Sequence, residues 1–445
     1  MAGCSERTDP TPELLPLPQE VVWSKGAFQK SEVSLSGDPS VVGIVGEWLD
    51  VAGIKRSDTA TGKVNVRLVE RIDQAVVNQE EAYNLTVSQE EISIEAVTEK
   101  GVYWAVQTLR QLTDRSTREV RIPCCEIIDW PAFGIRGFMH DTGRSYISLE
   151  EIKREIEILS LYKINTFHWH LTENQAWRLE SKIYPQLTSP ENMTRYPGCC
   201  YTQEQVREFL DFCRKHHILV IPEIDMPGHS AAFTRTFGCD MQSPKGKGII
   251  KELLAEACDL FAEEPYFHIG TDEVHFTDPD FVPEMVALVR SKGKKAISWS
   301  PGCEYAPGEI DIAQLWSYMG KPKPGIPSID SRFRYANHFD LFGDIVAVYN
   351  SRIWLNDQEL LPPAWTNSPD VRSPEIDQGN ENCTARPPLP VHLNKGWNKV
   401  LMKLPVGKFT TPEIWLVKWA FTAVFVTPDG SRAVDGLIYS PDKSK

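Results

Sequence analysis

No apolar run in this 445-residue chain reaches the roughly 18 residues that a membrane-spanning helix needs, so no transmembrane segment is expected. Its ten cysteines show neither a CxxC nor any regular spacing, which removes zinc modules and a disulfide framework from consideration. Cys124-Cys125 and Cys199-Cys200 are adjacent pairs, poorly placed to bridge each other, and most of the thiols are expected to be buried and inert. Positive charge is in deficit: 47 Lys and Arg stand against 61 Asp and Glu, a net −14. That balance leaves no electrostatic footprint for nucleic acid and does not suit an acidic polymer as substrate. Repeats and low-complexity tracts are missing too. Tryptophan, by contrast, is plentiful at 13 residues. Such rings pack cores, and in a pocket they stack on sugar faces. Length predicts two or three domains, and a composition of 41% hydrophobic and 24% charged residues is that of a globular protein.

Along the chain, residues 1–17 read as a polar, Pro-rich tether. Within it, Ala2-Gly3-Cys4 followed by Ser-Glu-Arg-Thr-Asp-Pro-Thr-Pro looks like the end of a bacterial lipoprotein signal. On that reading Cys4 is the lipidation site, and the protein is an exported, periplasmic or cell-surface lipoprotein with a lipid anchor in the membrane. Residues 18–130 mix strands (Val64–Val69, Tyr83–Val87, Ile92–Ala96) with a helix whose apolar residues fall at Val102, Ala105, Val106, Leu109 and Leu112, an α+β domain.

From residue 131 to 352 the texture becomes strand, loop, helix, repeated. Strands are expected at Ile135–Met139, Thr166–His170, Leu219–Ile224, Tyr266–Ile269, Ala296–Trp299, Ile312–Trp316 and, more weakly, Ile326–Ile329. Ser148-Leu-Glu-Glu151 and Thr202-Gln-Glu-Gln205 are capping boxes that open helices. Alternating β and α units imply a parallel sheet, and seven of them point to an α/β fold of TIM-barrel, (β/α)8 type. Residues 353–445 alternate between apolar and polar with Pro, Gly and Asn punctuation and read as a β-sandwich or jelly-roll-like region.

Polar residues collect where the barrel strands end, which is where such folds place their chemistry. Asp141 and Arg144 follow the first strand, His168 and His170 lie on the second, and Glu223, Asp225 and His229 come at the third. Asp272 and Glu273 follow the fourth, Trp299 ends the fifth and Trp316 the sixth. Adjacent carboxyl groups repel, so one of Asp272 and Glu273 is expected to keep its proton to higher pH, as general acid catalysis requires. Against this stands a metal-dependent amidohydrolase reading: His168 and His170 share a face of one strand, and His229, His268 and Asp272 would complete a site.

Four segments resemble glycoside hydrolase family 20, the β-N-acetylhexosaminidases. They are Gly137-Phe-Met-His-Asp-Thr-Gly-Arg-Ser-Tyr146, Asn165-Thr-Phe-His-Trp-His-Leu-Thr-Glu-Asn-Gln-Ala-Trp177, Ile221-Pro-Glu-Ile-Asp-Met-Pro-Gly-His229 and His268-Ile-Gly-Thr-Asp-Glu-Val274. Glu81-Ala-Tyr-Asn-Leu-Thr-Val87 is similar to that family's accessory domain. The resemblance implies a glycan substrate with a terminal N-acetylhexosamine and no cofactor or metal. It makes Glu273 the acid and base, with Asp272 orienting the substrate's 2-acetamido group as nucleophile. Arg144 would read the outer hydroxyls, Trp299 and Trp316 would wall the pocket, and Tyr335 would bind the acetamido oxygen. Asn337 takes the place of a usual Asp. His229 would support the acid with Glu173 at its partner's position, an Asp in the family, and His170 and Asp225 would stand behind these groups. The family's eighth strand carries a Trp and a carboxylate, and neither follows Asp344-Ile-Val-Ala-Val-Tyr349. Either a distant segment substitutes for the last barrel unit or the chain has lost it, which leaves a non-catalytic glycan-binding relative as a further alternative.

Overall fold

The structure, a computed structural model, describes residues 12–114, 120–317, 319–332, 352–360, 391–395 and 398–403. The chain divides into two compact units, Met1–Phe333 and Arg334–Lys445.

The first unit opens with a mixed sheet. Its elements are β1 (Glu20–Phe28), β2 (Glu32–Gly37), α1 (Val42–Ala52), β3 (Lys55–Arg56), β4 (Gly62–Leu68), β5 (Tyr83–Val87), β6 (Glu91–Ala96), α2 (Glu99–Leu112) and β7 (Ile122–Asp129). The strand order is β1-β7-β5-β6-β4-β2-β3. Helix α2 starts at Thr98, whose hydroxyl accepts the Lys100 amide. It buries all five apolar residues that its spacing singles out, against Val64, Leu85, Ile92 and Ile94 of the sheet. The α+β expectation therefore holds here.

The second layer of the unit is the barrel sheet: β8 (Gly137–Asp141), α3 (Leu149–Leu161), β9 (Thr166–His170), α4 (Gln203–Lys215), β10 (Leu219–Glu223), α5 (Ala231–Phe237), α6 (Pro244–Leu260), β11 (Tyr266–His268), α7 (Phe281–Ser291), β12 (Lys295–Ser300), β13 (Ile312–Leu315) and β14 (Ser328–Asp330). The seven strands pair in sequence order, every pair parallel. Among the described residues, no strand closes the sheet between β14 and β8. The sheet nevertheless curls. Strands β9 and β12 are three positions apart, about 14 Å in a flat sheet, yet the His168 and Trp299 rings on their inner faces lie 5.4 Å apart between centroids.

Strand alternation decides what faces each side. Phe167 and Trp169 of β9 pack outward against Phe209 of α4, while His168 and His170 point inward. Both capping boxes are present, Ser148 with Glu151 on α3 and Thr202 with Gln205 on α4. The observed β8 begins two residues later than expected. Arg136 is taken up instead by Glu81 and by the Lys163 carbonyl, which ties the approach to the first domain. Lys163, at the turn into β9, reaches Asp129 Oδ2 at 2.7 Å and the Tyr83 hydroxyl at 2.9 Å, a buried latch between the two layers.

In the second unit, β15 (Arg352–Leu355) pairs antiparallel with β16 (Gln358–Leu360) and β17 (Val400–Lys403). Asn356 and Asp357, both left-handed at φ 50° and 66°, make the tight turn of this hairpin. The remainder of the expected β-sandwich lies outside the described residues.

Candidate active site

Register brings the site together. Asp141 of β8 pairs with His170 of β9, His170 with Glu223 of β10, and Glu223 with His268 of β11. These side chains occupy one layer of the curled sheet. Glu223, fully buried, is its hub. His168 Nε2 lies 2.8 Å and His170 Nδ1 2.7 Å from its Oε2, and the Trp299 indole donates to its Oε1 at 2.7 Å. Burial alone would favour a neutral acid, but the three imidazoles outweigh it, His170 first, and hold Glu223 well below the usual carboxylate range. The two rings of β9 then part company. Burial pushes His168 down to about 4. For His170 burial acts the same way, but the Glu223 and Asp141 carboxylates override it and lift the ring to about 10. Of the two β9 rings, His170 therefore faces Glu223 as an imidazolium and His168 as a neutral imidazole.

Above this layer stands His229. Its Nδ1 lies 2.6 Å from Asp225 Oδ2, and its Nε2 lies 3.3 Å from Glu273 Oε2. Burial opposes a charge on this ring, but the bonds to Asp225 and Glu273 raise it to about 12. The other Asp225 oxygen accepts the Thr271 amide at 3.2 Å, so one carboxylate ties the loop after β10 to the loop after β11. Gly270 permits this. It is left-handed at φ 68°, and a Cβ there would lie 1.7 Å from Asp225 Oδ1. Thr271 (φ 90°), Glu273 (φ 47°) and His229 (φ 44°) are left-handed without being glycine, a local cost that such sites hold in place.

Asp272 and Glu273 are adjacent but differently placed. Asp272 keeps 13% of its side chain exposed, Glu273 57%. Burial, followed by the Asp225 charge, raises Asp272 well above the usual range for an aspartate. The surroundings of Asp272 therefore favour its protonated form. Glu273 faces solvent beside the His229 imidazolium.

On the β8 side, Arg144 Nη1 donates to Asp141 Oδ2 at 2.6 Å, and its Nη2 lies 2.5 Å from Glu173 Oε1. Glu173 is buried, which lifts it to about 7 against the pull of Arg144. Its Oε1 is 3.8 Å from His229 Nδ1, whereas Asp225 is at 2.6 Å. The close partner of His229 is therefore Asp225 rather than Glu173, whose extra methylene carries the carboxylate over to the guanidinium. Trp316, half-buried, donates its indole N–H to the Pro301 carbonyl at 2.7 Å. Trp299 is buried and bonded to Glu223 as above. Tyr335, Asn337 and Cys4 lie outside the described residues.

Sequence reasoning assigned no role to Glu223, Thr271 or Tyr305, although Tyr305 approaches Thr271 Oγ1 at 3.4 Å through its hydroxyl. The period-2 alignment of His168 and His170 opposite Glu223 was the signal available for the first. His168, Glu223 and His268 cluster closely enough to share a cation, as do Asp225, His229 and Asp272. In the first cluster His168 Nε2 lies 2.8 Å from the Glu223 carboxylate, and His268 Nδ1 accepts the Gly270 amide at 3.0 Å.

The chain is similar to two family models, "Glycosyl hydrolase family 20, domain 2" over residues 11–130 and "Glycosyl hydrolase family 20, catalytic domain" over residues 133–239. It is 39% identical over 307 residues to a beta-hexosaminidase of Porphyromonas gingivalis, covering 56% of this chain and 39% of that protein. To a beta-hexosaminidase of Vibrio furnissii it is 32% identical over 322 residues, 63% of this chain and 50% of the relative. The chain thus spans half or less of the length of these two curated relatives. Among solved structures, a β-N-acetylhexosaminidase from Bacteroides fragilis matches at 27% identity and a TM-score of 0.58, covering 68% of this chain and 69% of that one. A family 20 exo-β-N-acetylglucosaminidase from Vibrio harveyi, in complex with N-acetylglucosamine, matches at 27% identity and a TM-score of 0.58, over 69% of this chain and 58% of that one.

Proposed function

Because the chain belongs to glycosyl hydrolase family 20, we propose that it is a retaining exo-β-N-acetylhexosaminidase acting on terminal β-linked GlcNAc or GalNAc. The observation that carries this reading is the Asp272–Glu273 pair at the end of β11, with His229 bonded to both Asp225 and Glu273. Substrate assistance is the known departure of this family from the two-carboxylate scheme. The acetamido oxygen attacks the anomeric carbon, the glycosidic C–O bond breaks, and the leaving oxygen takes a proton from Glu273. Water then opens the oxazolinium, giving up its proton to Glu273. Asp272 accepts from the acetamido N–H and stabilises the charge that grows on that nitrogen.

Burial favours the protonated form of Asp272, and an incoming N–H donor favours its ionised form. Glu273, the more exposed acid, faces the leaving group. His229 keeps Glu273 oriented through both stages. Arg144, held by Asp141 and Glu173, reads the sugar hydroxyls. Trp299 and Trp316 wall the pocket.

The test is hydrolysis of paired chromogenic β-N-acetylglucosaminide and β-N-acetylgalactosaminide substrates. Release of chromophore that disappears in Glu273→Gln is expected. Glycan binding without any turnover would replace the enzyme reading with the binding one. For location, we propose lipid anchoring at Cys4 in an exported protein, supported by Ala2-Gly3-Cys4 and the polar stretch after it. Fatty-acid labelling in a bacterial host, lost in Cys4→Ser, is the expected result.

A further inference from the structure

Glu223 has no part in the steps above, yet it is among the most enclosed carboxylates in the barrel. Taking a carboxylate out of water costs several kcal/mol unless partners replace its hydration. The partners here are two imidazoles on one oxygen and an indole on the other. The indole is also flanked by two imidazoles, tilted 31° and 55° to its plane. The His168 and His268 rings lie 5.4 Å and 4.5 Å from that of Trp299, centroid to centroid. A tryptophan side chain has two torsions, and one anchored N–H bond together with ring contacts fixes both.

Only a carboxylate can hold this set. It accepts at both oxygens and donates from neither, so it takes the indole N–H on one oxygen and faces His168 Nε2 and His170 Nδ1 with the other. A carboxamide offers one acceptor oxygen, and its NH2 must face either the indole or the rings of β9. Simple apolar packing around Trp299 would leave its buried N–H unpaired.

We propose that Glu223 is a positioning residue: it fixes the plane of Trp299, and through that plane it sets how closely the pocket fits the N-acyl group of the substrate. The inference rests on the hexosaminidase reading, in which Trp299 walls the acetamido end of the pocket. It extends the working site down to the floor of the barrel.

Two measurements on the full chain test it. The first needs no turnover. In a spectrum of the 15N-labelled tryptophan indoles, the Trp299 resonance is identified by its loss in Trp299→Phe. In Glu223→Gln it is expected to move upfield, because a neutral acceptor bonds the indole more weakly than a charged one. The second compares kcat/KM for N-acetyl and N-propionyl aryl glycosides, which differ by one methylene. The wild-type preference for N-acetyl is expected to fall about ten-fold in E223Q and in W299F, and no further in the double variant. If E223Q does not fold, Glu223→Asp serves instead. It keeps the charge but is too short to reach both the indole and the imidazoles. An unmoved indole resonance, or an unchanged N-acyl preference beside a merely lower stability, overturns the proposal. A wild type that hydrolyses neither substrate overturns the hexosaminidase reading, and the indole resonance then decides the Glu223–Trp299 coupling by itself.

Discussion

Asp272 and Glu273 share a peptide bond but not an environment, and in the proposed mechanism the difference divides their work. Asp272→Asn keeps the shape of the group but cannot balance charge on the acetamido nitrogen. Its expected effect is a fall in kcat of about a hundred-fold or more with KM little changed, read from steady-state rates. Glu273→Gln removes the transferable proton, and a loss in kcat of about 10²- to 10⁴-fold is expected. Substrates with activated leaving groups should soften the first step of that loss. For the imidazoles of the barrel floor, dialysis against a chelator is expected to leave turnover unchanged, since His168 and His170 serve Glu223. A chelator-sensitive rate restored by added zinc would contradict that assignment. At this scale the sequence was legible where chemistry is contiguous, as in Asp272-Glu273. It was not legible where one extra methylene redirects a carboxylate, as at Glu173, or where a strand residue such as Glu223 shows its importance only through register.

Helices and strands were easier to read than side-chain partnerships, because their signals are local. Ser148 with Glu151 and Thr202 with Gln205 are visible three residues apart, and both boxes form. Ser148→Ala and Thr202→Ala are each expected to lower unfolding stability by about 1 kcal/mol in urea titrations, with no change in KM. The strand Thr166–His170 is where the pattern placed it, residue for residue. The start of β8 shifted because Arg136 is drawn to Glu81, 55 positions away, and no local pattern encodes so distant an ion pair.

The whole first unit depends on charges that titrate within reach of experiment. His170 is raised to about 10 in the folded protein, against an ordinary value near 6.5. Its stabilisation is therefore complete below about pH 6.5 and fades as pH climbs through 10. His168, depressed to about 4, works from the other side: stability is lost as pH falls from about 6.5 toward 4. Together these two rings predict a maximum near pH 6.5, visible in urea midpoints taken across the range. In His170→Gln the alkaline decline should be shallower. The latch at Lys163 acts at the same scale. Lys163→Met strands the buried Asp129 carboxylate and is expected to cost about 3 kcal/mol, and to let the β1–β7 sheet and the barrel melt as separate transitions in calorimetry.

His229, Thr271 and Glu273 hold left-handed backbones that their side chains resist. In a library screened for heat resistance alone, the catalytic loops would thus be a source of easy gains. Thr271→Gly and Glu273→Gly would each be recovered as winners worth about 1 kcal/mol, and each would be a poorer or dead catalyst. Thermal selection on this scaffold therefore needs an activity gate at every round, or it will discard the loops on which the proposed chemistry rests.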